Sequence, residues 1–371
     1  MTGVSIQPFA EALDRHPDRL AALAANGHKV LGYFCTYAPI EMIHAAGFVP
    51  MRILGGQTAI QRADSLTPGF ICPYMRQALE KALRGEYAFL SGVIQGYTCD
   101  VACGLINIWD LNIPKPLYHT LPLPYQDRPS ARRFLREALE ELRQKLEEIG
   151  GRPTDDRLAA SQDLYARIRT RALELYELRR QGRLPLSARD FLNVVRAGTV
   201  TPPEDYLPMI EALTDQVEQA PPAGTTGTPV LISGSLIDEP RILDLLEAAG
   251  GRIVADDLCT GLRAFSPPDG QGADPIDRLM DRHFKRFPCP SRIKSQDRAP
   301  ILAELARTSG ARGAVFFIQK FCTPHLADLP TMIEALKAEG LPGLLVEMEE
   351  TGFNEGQVRT RLETFMDMIG D

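Results

Sequence analysis

Seven cysteines and six histidines are the residues of this 371-residue chain best suited to chemistry, and two of the cysteines share a setting. Cys99 follows Phe89, Leu90, a run to Gln95, and Tyr97; Cys322 follows Gly313, a run to Gln319, and Phe321. Each is an apolar run, a glutamine, an aromatic and then the thiol, so both cysteines are expected where a buried strand hands over to a loop or helix. Open parallel sheets hold their ligands at that position. Cys72 precedes Pro73 and a helical pattern, which makes the three thiols neighbours if two similar half-molecules face each other. A helix N-terminus helps lower a thiol pKa and supply the thiolate that metals need. Three soft ligands around one open position suggest an iron-sulfur cluster that binds substrate.

Rival readings stay open. A free cysteine is commonly a small buried hydrophobe, and zinc competes for any set of thiols, although structural zinc sites usually include a close Cys-x-x-Cys pair that this chain lacks. Cys103 shares a helix face with Cys99, but one turn into that helix it points away from the strand-end mouth. Cys35 follows the first strand, and Cys259 and Cys289 lie near the equivalent mouth of the second half, so a second cluster on Cys103, Cys259 and Cys289 is a further option. His325, three residues after Cys322, could donate a proton or a supporting hydrogen bond. Asp256 and Asp257 end a predicted strand, where they could face a cleft or cap the next segment. Neither a Walker loop nor a Gly-x-Ser-x-Gly elbow is present.

The elements that must position these residues alternate in period. Apolar runs at Val30–Phe34, Phe48–Ile53, up to Gln95, and Pro116–Leu121 are separated by helical patterns at Pro39–Ala46, Tyr74–Arg84 and Cys99–Trp109. This predicts parallel strands with helical crossovers. The second half repeats the plan from Pro229, with strands at 252–257, up to Gln319, and 343–349, and helices at 239–249, 299–309, 328–338 and from Glu355. Both halves carry a proline-started helix stopped by Ala-Ala-Gly. The expected fold is α/β, two similar parallel-sheet lobes of Rossmann or flavodoxin type with a helical insertion between them. The lobes are expected at 1–130 and 223–371, with a helical segment and linker over 131–222 whose helices are mostly solvated on one face.

With 41 basic and 48 acidic residues the formal charge is −7, which argues against a nucleic-acid partner. No apolar stretch reaches the ~18 residues of a membrane span, and no leader pattern opens the chain. A cytoplasmic protein with reduced thiols is expected.

Over residues 28–125 and 228–370 the chain resembles the 2-hydroxyacyl-CoA dehydratase and benzoyl-CoA reductase subunits. The resemblance lies in the segments Gly32 to Glu41 with Ala45, Ala46 and Gly47; Cys72 to Arg76; Thr98, Cys99 and Asp100 with Trp109; Asp256 to Gly261; Pro288, Cys289 and Pro290; Gln319 to His325; and Gly356 to Glu363. It implies a [4Fe-4S] cluster on Cys72, Cys99 and Cys322 with the fourth iron open. It also implies a partner in the form of a related or identical cluster-bearing subunit, and an ATP-hydrolysing activator fed by ferredoxin or flavodoxin that drives one electron uphill. The substrate implied is an acyl-CoA whose thioester carbonyl becomes ketyl-like. Dehydratases of the family then expel a hydroxyl and reductases reduce an aromatic ring; the Asp256 and Gln319 runs resemble the reductase branch more. A further relative holds a double-cubane cluster on six cysteines, and the extra thiols here keep that open, as they do a subunit that only relays electrons. Tyr37, Glu41, Tyr97 and His325 are the candidate cleft-liners, with His325, Glu41 and Tyr37 the expected catalytic groups.

Overall fold

The apolar runs become two four-stranded sheets, parallel throughout, in a computed structural model that describes residues 4–221, 226–349 and 353–370. After helix α1 (Gln7–Ala25), the first sheet is built from β1 (Lys29–Tyr33), β2 (Phe48–Arg52), β3 (Leu90–Gly96) and β4 (Leu117–Leu121), with α2 (Ile40–Ala45), α3 (Pro73–Leu83) and α4 (Asp100–Asn112) as crossovers. Four helices follow: α5 (Pro129–Glu148), α6 (Asp155–Arg180), α7 (Ala188–Ala197) and α8 (Pro203–Gln219). The second sheet has β5 (Thr228–Gly234), β6 (Gly251–Asp257), β7 (Gly313–Gln319) and β8 (Gly343–Met348). Its helices are α9 (Ile242–Ala248), α10 (Leu262–Phe265), α11 (Pro275–Lys285), α12 (Ser295–Ser309), α13 (Thr323–Ala338) and α14 (Glu355–Gly370).

The strand orders, β2-β1-β3-β4 and β6-β5-β7-β8, are the same pattern used twice. β7 is buried at every position, as a central strand covered on both faces must be. The expected repeat is visible at the α2 and α9 ends, where Ala45-Ala46-Gly47 and Ala248-Ala249-Gly250 stop their helices with glycines at φ +91° and +89°. Only glycine takes that left-handed conformation cheaply. In both sheets the order in which strands are added switches sides between β1 and β3 and between β5 and β7, which opens a crevice at their C-terminal ends. At the second crevice Gly234 lets β5 close on β7: a Cβ there would stand 1.9 Å from the Phe317 carbonyl oxygen.

The helical segment is only in part solvated on one face as expected. α5 keeps an exposed outer face, but α6 packs against α2, α8 and β6 and ties the two sheets together. Its Arg169 is ion-paired with Glu41 of the first half, and its Arg179 donates to the Ile253 carbonyl of β6 at 3.0 Å. Periodicity counts polar residues as outward-facing, and buried arginines defeat that count. Further ties run directly between the halves, from Arg52 to the Cys259 carbonyl at 3.2 Å and from Arg292 to the Tyr97 carbonyl at 2.9 Å. The boundary expected between residues 222 and 223 lies outside the described residues. Among the described residues no helix is long and apolar enough to cross a membrane.

Candidate functional site

Cys72, Cys99 and Cys322 are each the N-cap residue of a helix: α3, α4 and α13. Two of those helices open with proline in the first turn, Pro73 and Pro324, where a missing N–H costs nothing. The sequence pattern explains the placement. For Cys99 and Cys322 a buried strand ends, the chain turns, and the next helix begins at the thiol; Cys72 instead closes the long connection from β2 to α3, and in all three cases the positive end of a helix lies at the cysteine. The Cys99 Sγ accepts from the Ala102 N–H at 3.4 Å. The turn before Cys322 requires Phe321 at φ +64°, a left-handed conformation for an aromatic residue. Strain of this kind costs about 1–3 kcal/mol and persists where surrounding structure imposes it.

The three thiols line one cavity of about 90 Å³ between the lobes, formed by the facing crevices of the two sheets. Cys35, Cys259 and Cys289 line the same cavity, as do Arg52, Gln95, Gln319 and His325. Cys103 does not line it, so Cys103, Cys259 and Cys289 do not share this cavity. The two glutamines of the repeated pattern brace the mouth. Gln95 donates to the Gly96 carbonyl at 2.7 Å and to Thr98 at 3.3 Å, and Gln319 donates to the Leu236 carbonyl at 3.4 Å.

Around the thiols sits a set of buried guanidiniums that the sequence pattern does not single out. Arg263 donates to the Cys259 sulfur at 3.1 Å and lies 3.5 Å from the His325 Nε2. It is held by Asp257 at 2.5 Å, and Arg298 joins Asp257 to Asp328. Asp257 is therefore the counter-ion of this network. Asp256 caps the next segment, accepting from the Leu262 N–H at 2.9 Å. The signal for the network was faint: an arginine one helical turn after Cys259.

Burial pushes the Cys72 thiol up to about 11 and the Cys99 and Cys322 thiols further, the last also through its neighbours Cys72 and Cys99. Three thiols that feel one another in an apolar cavity stay protonated unless a cation replaces their protons. Buried Arg52 and Arg263 beside them supply positive charge that three thiolates on an iron-sulfur cube would balance. The donor set, soft sulfur from three helix N-termini around a cavity, fits an iron-sulfur cluster. Among the described residues no three Cys, His, Asp or Glu side chains converge on a single-ion site; the thiols ring the space instead.

The expected catalytic residues separate. His325 is at the cavity, and burial with Arg263 and Arg298 nearby keeps its imidazole neutral, its pKa well below the ordinary value. Glu41 is elsewhere. Burial alone would raise its carboxyl, but Arg169 and Arg282 hold it at about 2, so it is the counter-ion joining α2 to α6 and α11. A carboxylate in the first turn of α2 meets α6 before it can reach the cavity. Tyr37 lies just outside, its ring under the Arg286 guanidinium at 5.0 Å and edge-on to His283 at 5.4 Å. Tyr97 is at the surface.

The chain is 28% identical to one of the benzoyl-CoA reductase subunits of Thauera aromatica over the whole of this chain and 99% of that protein. It is 26% identical to the (R)-phenyllactyl-CoA dehydratase beta subunit of Clostridium sporogenes, covering 93% and 92% of the two chains. It is also 26% identical to the beta subunit of (R)-2-hydroxyglutaryl-CoA dehydratase of Acidaminococcus fermentans, covering 98% of each. All three relatives are enzyme subunits. A family model described as 2-hydroxyglutaryl-CoA dehydratase, D-component, matches residues 35–369, from the first cavity cysteine to the terminal helix, and the chain belongs to that family.

Proposed function

We propose that this chain is the iron-sulfur subunit of a cytoplasmic, ATP-dependent enzyme that reduces acyl-CoA thioesters one electron at a time, of benzoyl-CoA reductase type, with 2-hydroxyacyl-CoA dehydration as the alternative outcome. The observation that carries the reading is the meeting of three N-cap cysteines, Cys72 and Cys99 from one sheet and Cys322 from the other, in a single interlobe cavity. A bound [4Fe-4S] cluster would supply a strongly reducing electron and, at an iron without a protein ligand, a Lewis acid for a thioester carbonyl. The chain's own residues do the rest. The three cysteines hold the group, Arg52 and Arg263 offset thiolate charge, and Phe34, Met75 and Leu236 keep water from the cavity wall. His325, neutral and adjacent, can exchange a hydrogen bond with a substrate oxygen without adding charge.

The experiment is a titration of the anaerobically purified protein, with its partner subunit, an ATP-hydrolysing activator and reduced ferredoxin or flavodoxin, against benzoyl-CoA and 2-hydroxyacyl-CoA thioesters. The cluster's EPR signal is expected to shift with thioester, and turnover to require ATP. A silent signal with both thioesters would reduce the chain to an electron relay, and a colourless protein after reconstitution with iron and sulfide would remove the cluster altogether.

A second reading has one observation in its favour. Cys35, Cys259 and Cys289 ring the same cavity as the first three thiols, which gives six sulfurs for a larger, double-cubane type of cluster.

The partner is proposed to be a related cluster-bearing subunit seated over the cavity mouth. The cysteines' sequence neighbours Phe70, Tyr97 and Phe321 are 69%, 49% and 40% exposed, large aromatic surfaces of the kind that interfaces cover. Phe70→Ser combined with Phe321→Ser is expected to weaken recovery of the second subunit by about tenfold or more while iron content holds. Undiminished recovery would place the partner on another face.

A further inference from the structure

A second, smaller interlobe chamber, of about 50 Å³, adjoins the cysteine cavity through Arg52, which lines both. Arg169 and Arg286 also line it, among the aromatic walls Tyr33, Tyr165 and Phe265. Two guanidinium donors here, the Nε groups of Arg52 and Arg286, are buried without any acceptor. The surrounding charge is lopsided. Glu41 is engaged by Arg169 and Arg282, Asp269 by Arg278, and Asp238 faces Arg52 and Arg196. Among the described residues Arg286 makes its hydrogen bond to the Thr36 carbonyl and stacks on the Tyr37 ring, with Glu41 acting on it without direct contact. Burial and the neighbouring guanidiniums depress the pKa of Arg282 and Arg286. Buried cations without counter-ions are costly, and guanidiniums are the side chains best shaped for bidentate recognition of oxyanions.

We propose that this chamber binds a phosphate-class oxyanion through Arg52, Arg169 and Arg286. Two sources fit, free phosphate or a phosphate of a CoA thioester; the second, though not the anion binding itself, rests on the acyl-CoA reading above. Equilibrium dialysis of the anaerobically purified protein against radiolabelled inorganic phosphate, with and without CoA, tests it. Saturable phosphate binding is expected, weakened by about tenfold or more in Arg286→Gln and partly restored in Arg286→Lys. Displacement of phosphate by CoA, or CoA binding weakened by Arg286→Gln without free phosphate binding, identifies the CoA source; phosphate binding indifferent to CoA identifies the free ion. If neither ligand shows binding that responds to Arg286→Gln, the proposal is overturned. Iron content is read in parallel, so that a failed cluster and a failed anion site are told apart. Should Arg286→Gln not fold, thermal stabilisation of the wild type by phosphate and its reduction in Arg286→Lys decide the matter, and absence of both overturns it.

Discussion

Cys322→Ser is expected to yield a folded protein that has lost most of its iron and all thioester-dependent signal, and Cys72→Ser to do the same. Serine is a good helix N-cap, so α13 and α3 keep their starts and the loss is one of ligation. A hydroxyl is a hard, weakly acidic donor, whereas the site is assembled from soft sulfur. The cost should exceed the roughly 10- to 100-fold in metal affinity that follows loss of a hydrogen bond behind a ligand. The measurements are iron and sulfide per chain after anaerobic reconstitution, with circular dichroism to confirm folding. Cys35→Ser is the companion, since Cys35 lines the cavity but does not cap a helix. Full iron in Cys35→Ser supports one cube on Cys72, Cys99 and Cys322. A partial loss in Cys35→Ser, repeated in Cys259→Ser and Cys289→Ser, supports the six-sulfur cluster instead. Full iron in Cys322→Ser and Cys72→Ser would overturn the ligand assignment.

Asp257→Asn is expected to be the most damaging substitution outside the cysteines. Asp257 is fully buried and joins Arg263, Arg298 and Ser233. Without its charge, Arg298 keeps Asp328 but Arg263 loses its carboxylate, and removing one partner of a buried pair typically costs about 3–5 kcal/mol. Urea unfolding should show that loss, and the cavity should change with it, because Arg263 holds its place beside Cys259 and His325 through Asp257. Asp256→Asn is the control. It removes a charge next door but leaves an oxygen to accept from the Leu262 N–H, so its cost should stay near 1 kcal/mol. Equal losses in the two variants would show that Asp257 is not the keystone of the network.

Much of the fold was legible because parallel strands and crossover helices write themselves in period. The expected strand ending at Gln95 is observed as Leu90–Gly96, and the second-half strand 252–257 as Gly251–Asp257. The misses have physical causes. α13 begins at Thr323, five residues before the expected Asp328; Pro324 looks like a breaker, yet proline is tolerated in a first turn. α10 and α11, between the Asp256 run and Cys289, were not anticipated, and α11 carries Arg282, while Arg286 follows directly at its end, both paired or stacked across the interlobe joint.

By itself, then, the sequence determined two copies of one sheet plan, the position of Cys99 and Cys322 at strand-to-helix junctions and that of Cys72 at a proline-started helix, because hydrophobic period and turn chemistry are local properties. Only the tertiary structure decided which residues share a cavity. It brought Cys35, Cys259 and Cys289 in beside the first three thiols, left Cys103 out, withdrew Glu41 into an ion pair, and gathered arginines from distant segments. Those outcomes depend on how two sheets and α6 pack, and on the pairing that a buried charge demands. Neither leaves a period in the chain.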